Sequence, residues 1–190
     1  PNARVGGLKY ADLDNNGSID ANDQTWIYNP VPDFNWGLNV QLSYKNFDLS
    51  MFFQGVCGVD VYNNQKFQTD FWSLTDSGSN KGNRLLGAWT QDNTSSTIPA
   101  LTTNNTGDEG RRSSYFVEHG SWMKLRTLQI GYNFEQSLLK KLHMTSARVY
   151  VSGQNIFTLK SNSFTISDPE NPNWAYPHSS SVSLGLQLSF

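Results

Sequence analysis

Apolar and polar residues alternate strictly along several stretches of this chain. In "WGLNVQLSY", Trp36, Leu38, Val40, Leu42 and Tyr44 take one side, while Gly37, Asn39, Gln41 and Ser43 take the other. Lys45 and Asn46 then read as a tight turn, after which Phe47, Leu49, Met51 and Phe53 resume the apolar phase. That is the pattern of a long hairpin with two unlike faces. Alternation returns in "LRTLQIGYNF", where Leu128, Ile130, Tyr132 and Phe134 share a face, and in "ARVYVSGQNIF", where Ala147, Val149 and Val151 do. It ends with "SVSLGLQLSF", in which Val182, Leu184, Leu186, Leu188 and Phe190 alternate with Ser183, Gly185, Gln187 and Ser189. The pattern predicts five antiparallel strands, over 34–44, 47–55, 121–134, 146–158 and 180–190. "EQSLLKKLHM" predicts a short helical turn between the third and fourth. The stretch from 56 to 120 has turn and loop composition, with "FQTDFWSL" (67–74) as a short helix or strand inside it. A second long loop covers 159–179, where three prolines fall. Loops of such length inside a compact domain are often functional.

Two architectures bury such faces. In a soluble β-sandwich the apolar faces meet each other and the polar faces are wet. In a membrane barrel the apolar face meets lipid and the polar face lines the lumen. Four features favour the barrel. The strands reach the length needed to span. The polar side is Gly, Ser, Asn, Gln and Thr with few charges. Aromatics gather at strand ends, at Trp36, Tyr44, Phe47, Tyr132, Phe134 and Phe190. Short and long connections alternate, as periplasmic turns and extracellular loops do. The lipid-facing side would carry Leu38, Val40, Leu128, Ile130, Val149, Leu184 and Leu186. Five strands cannot close a barrel, and open edges are not tolerated in lipid. The chain therefore reads as all-β, part of a larger antiparallel barrel with long extracellular loops.

Composition narrows the partners. The formal net charge of the 190 residues is -2, which gives no basic footprint for nucleic acid. Charged residues are only 16% and aromatics 13%, a balance poor in helix formers. A single cysteine, Cys57, excludes an internal disulfide and a cysteine metal cluster. No initiator Met opens the chain, so it reads as a mature or cut piece whose export signal lies elsewhere. His119, His143 and His178 are scattered, and neither HExxH nor a nucleophile elbow occurs, so the chain reads as a non-enzyme. His119 reads as a rim pair with its neighbour Glu118. Trp72, Trp89 and Trp174 could stack on sugars or pack within the loops.

One segment carries distinct chemistry. "DLDNNGSIDAND" places oxygen-bearing residues at positions 1, 3, 5, 7, 9 and 12 of a calcium loop, with glycine at position 6. The expected ligands are Asp12, Asp14, Asn16, Ser18 (through its carbonyl), Asp20 and Asp23, with Gly17 at the sharp turn. Position 12 is Asp23, where the bidentate Glu of this loop type would stand. Pro30 and Pro32 break the segment that follows, so no helix pair flanks the loop. A structural calcium ion fits this better than a sensor. The same residue types also build an Asx-rich turn without an ion.

The blocks "LKYADLDNNGSIDANDQTWIYNPVPDFNWGLNVQLSYKNFDLSMFFQGVCGVDVYN", "RRSSYFVEHGSWMKLRTLQIGYNF", "SARVYVSGQNIFT" and the final "GLQLSF" resemble the C-terminal part of the SusC/RagA family of TonB-linked outer-membrane proteins. The resemblance covers nearly all of the chain outside 67–107. It implies a plugged barrel of about 22 strands. Such a barrel imports glycans or peptides beneath a SusD-like surface lipoprotein that acts as a lid. The resemblance further implies a Gram-negative, Bacteroidetes-like outer membrane. The partners would be lipid, the rest of the same barrel and its plug, and TonB through an N-terminal part not included here. Residues 1–33 would then be an extracellular loop holding the calcium-type motif. Residues 34–190 would be the C-terminal part of the barrel, with extracellular loops 56–120 and 159–179. The alternative is a soluble, secreted, calcium-binding β-sandwich module for carbohydrate. A passive porin is a third reading.

Overall fold

The structure, a computed structural model, describes residues 3–71, 80–102, 109–172 and 176–190. In chain order the elements are β1 (Phe34–Tyr44), β2 (Phe47–Cys57), β3 (Asp60–Tyr62), α1 (Asn64–Asp70), β4 (Val117–His119), β5 (Trp122–Asn133), α2 (Gln136–Lys141), β6 (Ser146–Lys160) and β7 (Ser181–Ser189). Five of the strands form one antiparallel sheet in the order β1-β2-β5-β6-β7, and β3 pairs with β4. Among the described residues no helix is long and apolar enough to cross a membrane.

The register carries the alternation of each strand across the sheet. Val40 lies opposite Met51, Met51 opposite Leu128, and Leu49 opposite Ile130. Ile130 lies opposite Val151, and Val151 opposite Leu184. One face of the sheet is therefore apolar from β1 to β7. On the other face Ser50 meets Gln129, Gln129 meets Ser152, and Ser152 meets Ser183. The two faces stay distinct because side chains alternate with period two. β5 breaks that count once. A bulge at Arg126 puts Thr127 opposite Phe52 and Leu125 opposite Phe53. Before the bulge the even residues Trp122, Lys124 and Arg126 lie on the polar face; after it the odd residues do. Lys45 starts the β1–β2 turn with φ +54°, which lets two residues reverse the chain.

Glycines make room on the polar face. A Cβ on Gly131 would stand 2.5 Å from the Arg148 guanidinium, and one on Gly185 would run into the Tyr150 ring. Arg148 pairs there with Asp48 at 2.5 Å, and Asn133 donates to the same carboxylate at 3.0 Å.

The chain folds as two compact units. The sheet, with residues 29–60, 119–171 and 175–190, is one. The other holds residues 1–28, 61–118 and 172–174. Its core is aromatic. The fully buried Phe116 ring lies 5.6 Å from Tyr62, 6.1 Å from Phe67, 5.8 Å from Phe71 and 5.3 Å from Tyr115. Asn63 caps α1 by accepting from the amides of Gln65 and Lys66. The stretch 67–74 is helical through Asp70, and its residues 72–74 lie outside the described residues.

Candidate functional site

The acidic loop near the start of the chain is closed by its own backbone. The Gly17 amide donates to Asp12 Oδ2 at 2.8 Å, and the Asn16 amide donates to Asp12 Oδ1 at 3.2 Å and Asp14 Oδ1 at 3.1 Å. Asn16 Oδ1 accepts from the Ser18 amide at 2.7 Å. Asp20 and Asp23 form a capping box around a single 3-10 turn, with Asp20 accepting from Asn22 and Asp23 accepting from Asp20. Gly17 has φ +84°, with open space where a Cβ would stand, so its conformation and not crowding asks for glycine. The amides of Asp20 and then Leu13 hold the Asp23 carboxyl below the usual carboxylate range.

This arrangement brings Asp12, Asp14 and Asp23 together. One carboxylate oxygen from each lies within 4.8 Å of the others. The Asp20 carboxylate is used as a cap, and Asn16 also donates to Asp14 Oδ2 at 2.8 Å. A carboxylate oxygen that accepts one amide keeps a further lone pair. The donor set is all oxygen, which suits a hard cation of the calcium type. The loop also forms one wall of a cleft within its unit, lined by Tyr10, Ile19, Trp26, Tyr28 and Arg112 among others.

The other residues singled out from sequence fall as follows. Glu118 and His119 do not pair with each other. The buried Glu118 accepts from Asn63 at 3.1 Å and pairs with Lys66 at 3.2 Å, whereas the exposed His119 ring lies 3.0 Å from Asp60. Neighbours in a strand point to opposite faces, which is why adjacency misled. The Trp89 ring packs over Gly6. Trp72 and Trp174 lie outside the described residues.

A cluster on the polar face of the sheet escaped the sequence reading. Lys124, 2% exposed, donates to Asp168 at 2.7 Å and to Glu170 at 2.6 Å. Arg126 also binds Glu170, and Asp168 accepts from the His178 amide at 2.8 Å. Burial alone would raise the Asp168 carboxyl. The bonds from Lys124, from the His178 and Glu170 amides and from the His178 ring outweigh it and hold the group well below the usual range.

Comparison with known proteins places this geometry. No protein-family model matches the chain. It is 34% identical over 204 residues to the TonB-dependent receptor P3 of Formosa agariphila, covering 97% of this chain and 19% of that receptor. It is 30% identical to the TonB-dependent receptor SusC of Bacteroides thetaiotaomicron, over 95% of this chain and 17% of SusC. Among solved structures it superposes on the RagAB peptide transporter with a TM-score of 0.75 and 26% identity, over 91% of this chain and 19% of that one. The chain thus spans about a fifth of the length of the relatives it matches. The two-faced sheet and this similarity along nearly the whole chain agree: its strands are wall strands of a large transmembrane β-barrel, and the chain matches one part of TonB-dependent receptors of the SusC and RagA kind.

Proposed function

We propose that this chain is the C-terminal part of an outer-membrane transporter that is energised through TonB and imports glycans or peptides together with a SusD-like surface lipoprotein. The observation that carries the reading is the unbroken apolar face from Val40 through Met51, Leu128 and Gly153 to Val182. It belongs in lipid, with the polar face turned to the conduit. The relatives are receptors and transporters by name, which supports a role without catalysis.

In this reading β2, β6 and the connections into β1, β5 and β7 meet at the extracellular end of the wall. Residues 1–33, 56–120 and 159–179 are outside loops, and the Lys45–Asn46 turn and α2 face the periplasm. The edges of β1 and β7 pair with the rest of the same barrel, which encloses a plug. A structural calcium ion sits in the acidic loop, held by Asp12, Asp14, Asn16, Ser18, Asp20 and Asp23. It orders the chain before β1 and takes part in no reaction. Carboxylates this close repel one another, and a divalent cation relieves that repulsion.

The test is uptake in the native Gram-negative host. Deleting the full-length receptor should abolish energy-dependent entry of one class of labelled oligosaccharide or peptide, and deleting TonB should do the same. Affinity purification in mild detergent should bring down a surface lipoprotein. Uptake that persists without TonB would favour a passive pore and overturn the proposal.

A further inference from the structure

The segment that leaves β6 turns back onto the polar face of the sheet. Lys160 at the end of β6 donates to the carbonyls of Ile166 and Ser167. Phe164 and Ile166 are buried, at 4% and 1% exposure, and anchor the segment by its apolar side. Asp168 and Glu170 then reach Lys124, which lies opposite Gln54 on the polar face. Arg126 bridges the two, accepted by Gln54 Oε1 at 2.8 Å and by Glu170. The Trp122 ring lies under both cations, at 5.5 Å from Lys124 and 5.6 Å from Arg126.

From this geometry we infer that residues 161–171 form a fixed strap clamped across the polar face of the barrel wall, with Lys124 as the clamp. The strap stands at the end of the sheet that carries the long connections. It narrows that opening at all times, whether or not a partner sits above it.

The charges explain why the strap stays down. Asp168, Glu170 and His178 offer ligand atoms within 4.8 Å of one another, a grouping that could hold a metal ion. The space between the carboxylates is already filled by the Lys124 ammonium. The wall supplies its own cation. A buried ammonium facing two carboxylates is stable only while all three stay together, because lifting the strap strips each charge of its partner. The Arg126 bulge is what allows this. It puts Trp122, Lys124 and Arg126 on the polar face while the later odd residues of β5 keep the same face. That this face lines a conduit follows from the transporter reading. The clamp shows itself in the amides whether or not any solute is carried.

The experiment is hydrogen exchange on the full-length receptor in detergent micelles, without added partner. The amides of Glu170, Asn171 and His178 donate to Asp168, so each should exchange slowly in the wild type. Lys124→Met should speed their exchange at least tenfold and leave Val151 and Ser152 on β6 unchanged. Lys124→Arg should restore most of the protection. If Lys124→Met does not assemble, the double variant Asp168→Asn/Glu170→Gln keeps the clamp residue on the wall and should loosen the same amides. Addition of a chelator should leave the exchange of these three amides unchanged in the wild type. Fast exchange across 161–171 in the wild type would overturn the inference. So would unchanged exchange in the variants, or loosening by the chelator alone.

Discussion

Leu184 and Ser183 are neighbours on β7 and should respond oppositely to the same substitution. Leu184 is 76% exposed and lies opposite Val151 on the apolar face, whereas Ser183 lies opposite Ser152 on the polar face. β7 has 9 residues. At about 3.3 Å per residue it runs roughly 30 Å, and a tilt of about 45° leaves a height of roughly 21 Å, close to the apolar band of about 25 Å. Leu184 adjoins the central Gly185, so it falls about 2 Å from the midplane. A cation there costs about 2–4 kcal/mol, a shift of roughly 30- to 700-fold in the folding equilibrium. Leu184→Arg in the full-length receptor should therefore lose about that much stability in urea titrations from lipid vesicles. Ser183→Arg should stay within about 1 kcal/mol of the wild type. Equal losses at the two sites, or a larger loss at Ser183, would refute the assignment of faces.

Other outcomes follow from the same geometry. Phe116→Ala removes the centre of the aromatic core of the loop unit and should cost about 3–5 kcal/mol there, seen as faster proteolysis within 80–118 while the wall stays protected. Gly185→Val should cost about 1–3 kcal/mol, because its side chain would enter the Tyr150 ring; a neutral effect would mean that Tyr150 swings away freely. Asp14→Ala should lower calcium affinity in isothermal titration and loosen Tyr10–Pro32 without blocking barrel insertion. Asp168 and Glu170 both titrate below their unfolded values, so their contribution is complete above about pH 5 and fades as pH falls through and below the ordinary carboxylate range. Amide exchange in 161–171 should thus be flat from pH 8 to 5, after correction for intrinsic rates, and rise only in stronger acid.

The wall was legible because its signal is local. β1 matches its expected bounds of 34–44, and the other four strands fall within two residues of theirs at each end. A two-faced strand declares itself in its own ten residues, and a two-residue turn in its neighbours. The bulge was hidden. Leu125 and Leu128 are three apart, which breaks the alternation without saying which residue is extra. The hydrogen bonds that close the acidic loop are local in the same way, since their donors and acceptors lie within 12 residues. The strap could not. Lys124 and Asp168 are separated by 44 positions, and "SDPEN" has the composition of an ordinary turn. The aromatic core of the loop unit was invisible likewise: Tyr62, Phe67 and Phe71 meet Tyr115 and Phe116 across some fifty residues without periodicity.

The central claim is that one face of this sheet lies in lipid and the other does not. Spin labels placed singly at 182, 183, 184, 186, 187 and 188 on β7 of the full-length receptor, reconstituted in vesicles, read it directly. Relaxation by dissolved oxygen should peak at 182, 184, 186 and 188, and relaxation by a water-soluble nickel chelate should peak at 183 and 187. Labels that are all immobile and shielded from both reagents, as in the core of a packed sandwich, would contradict it.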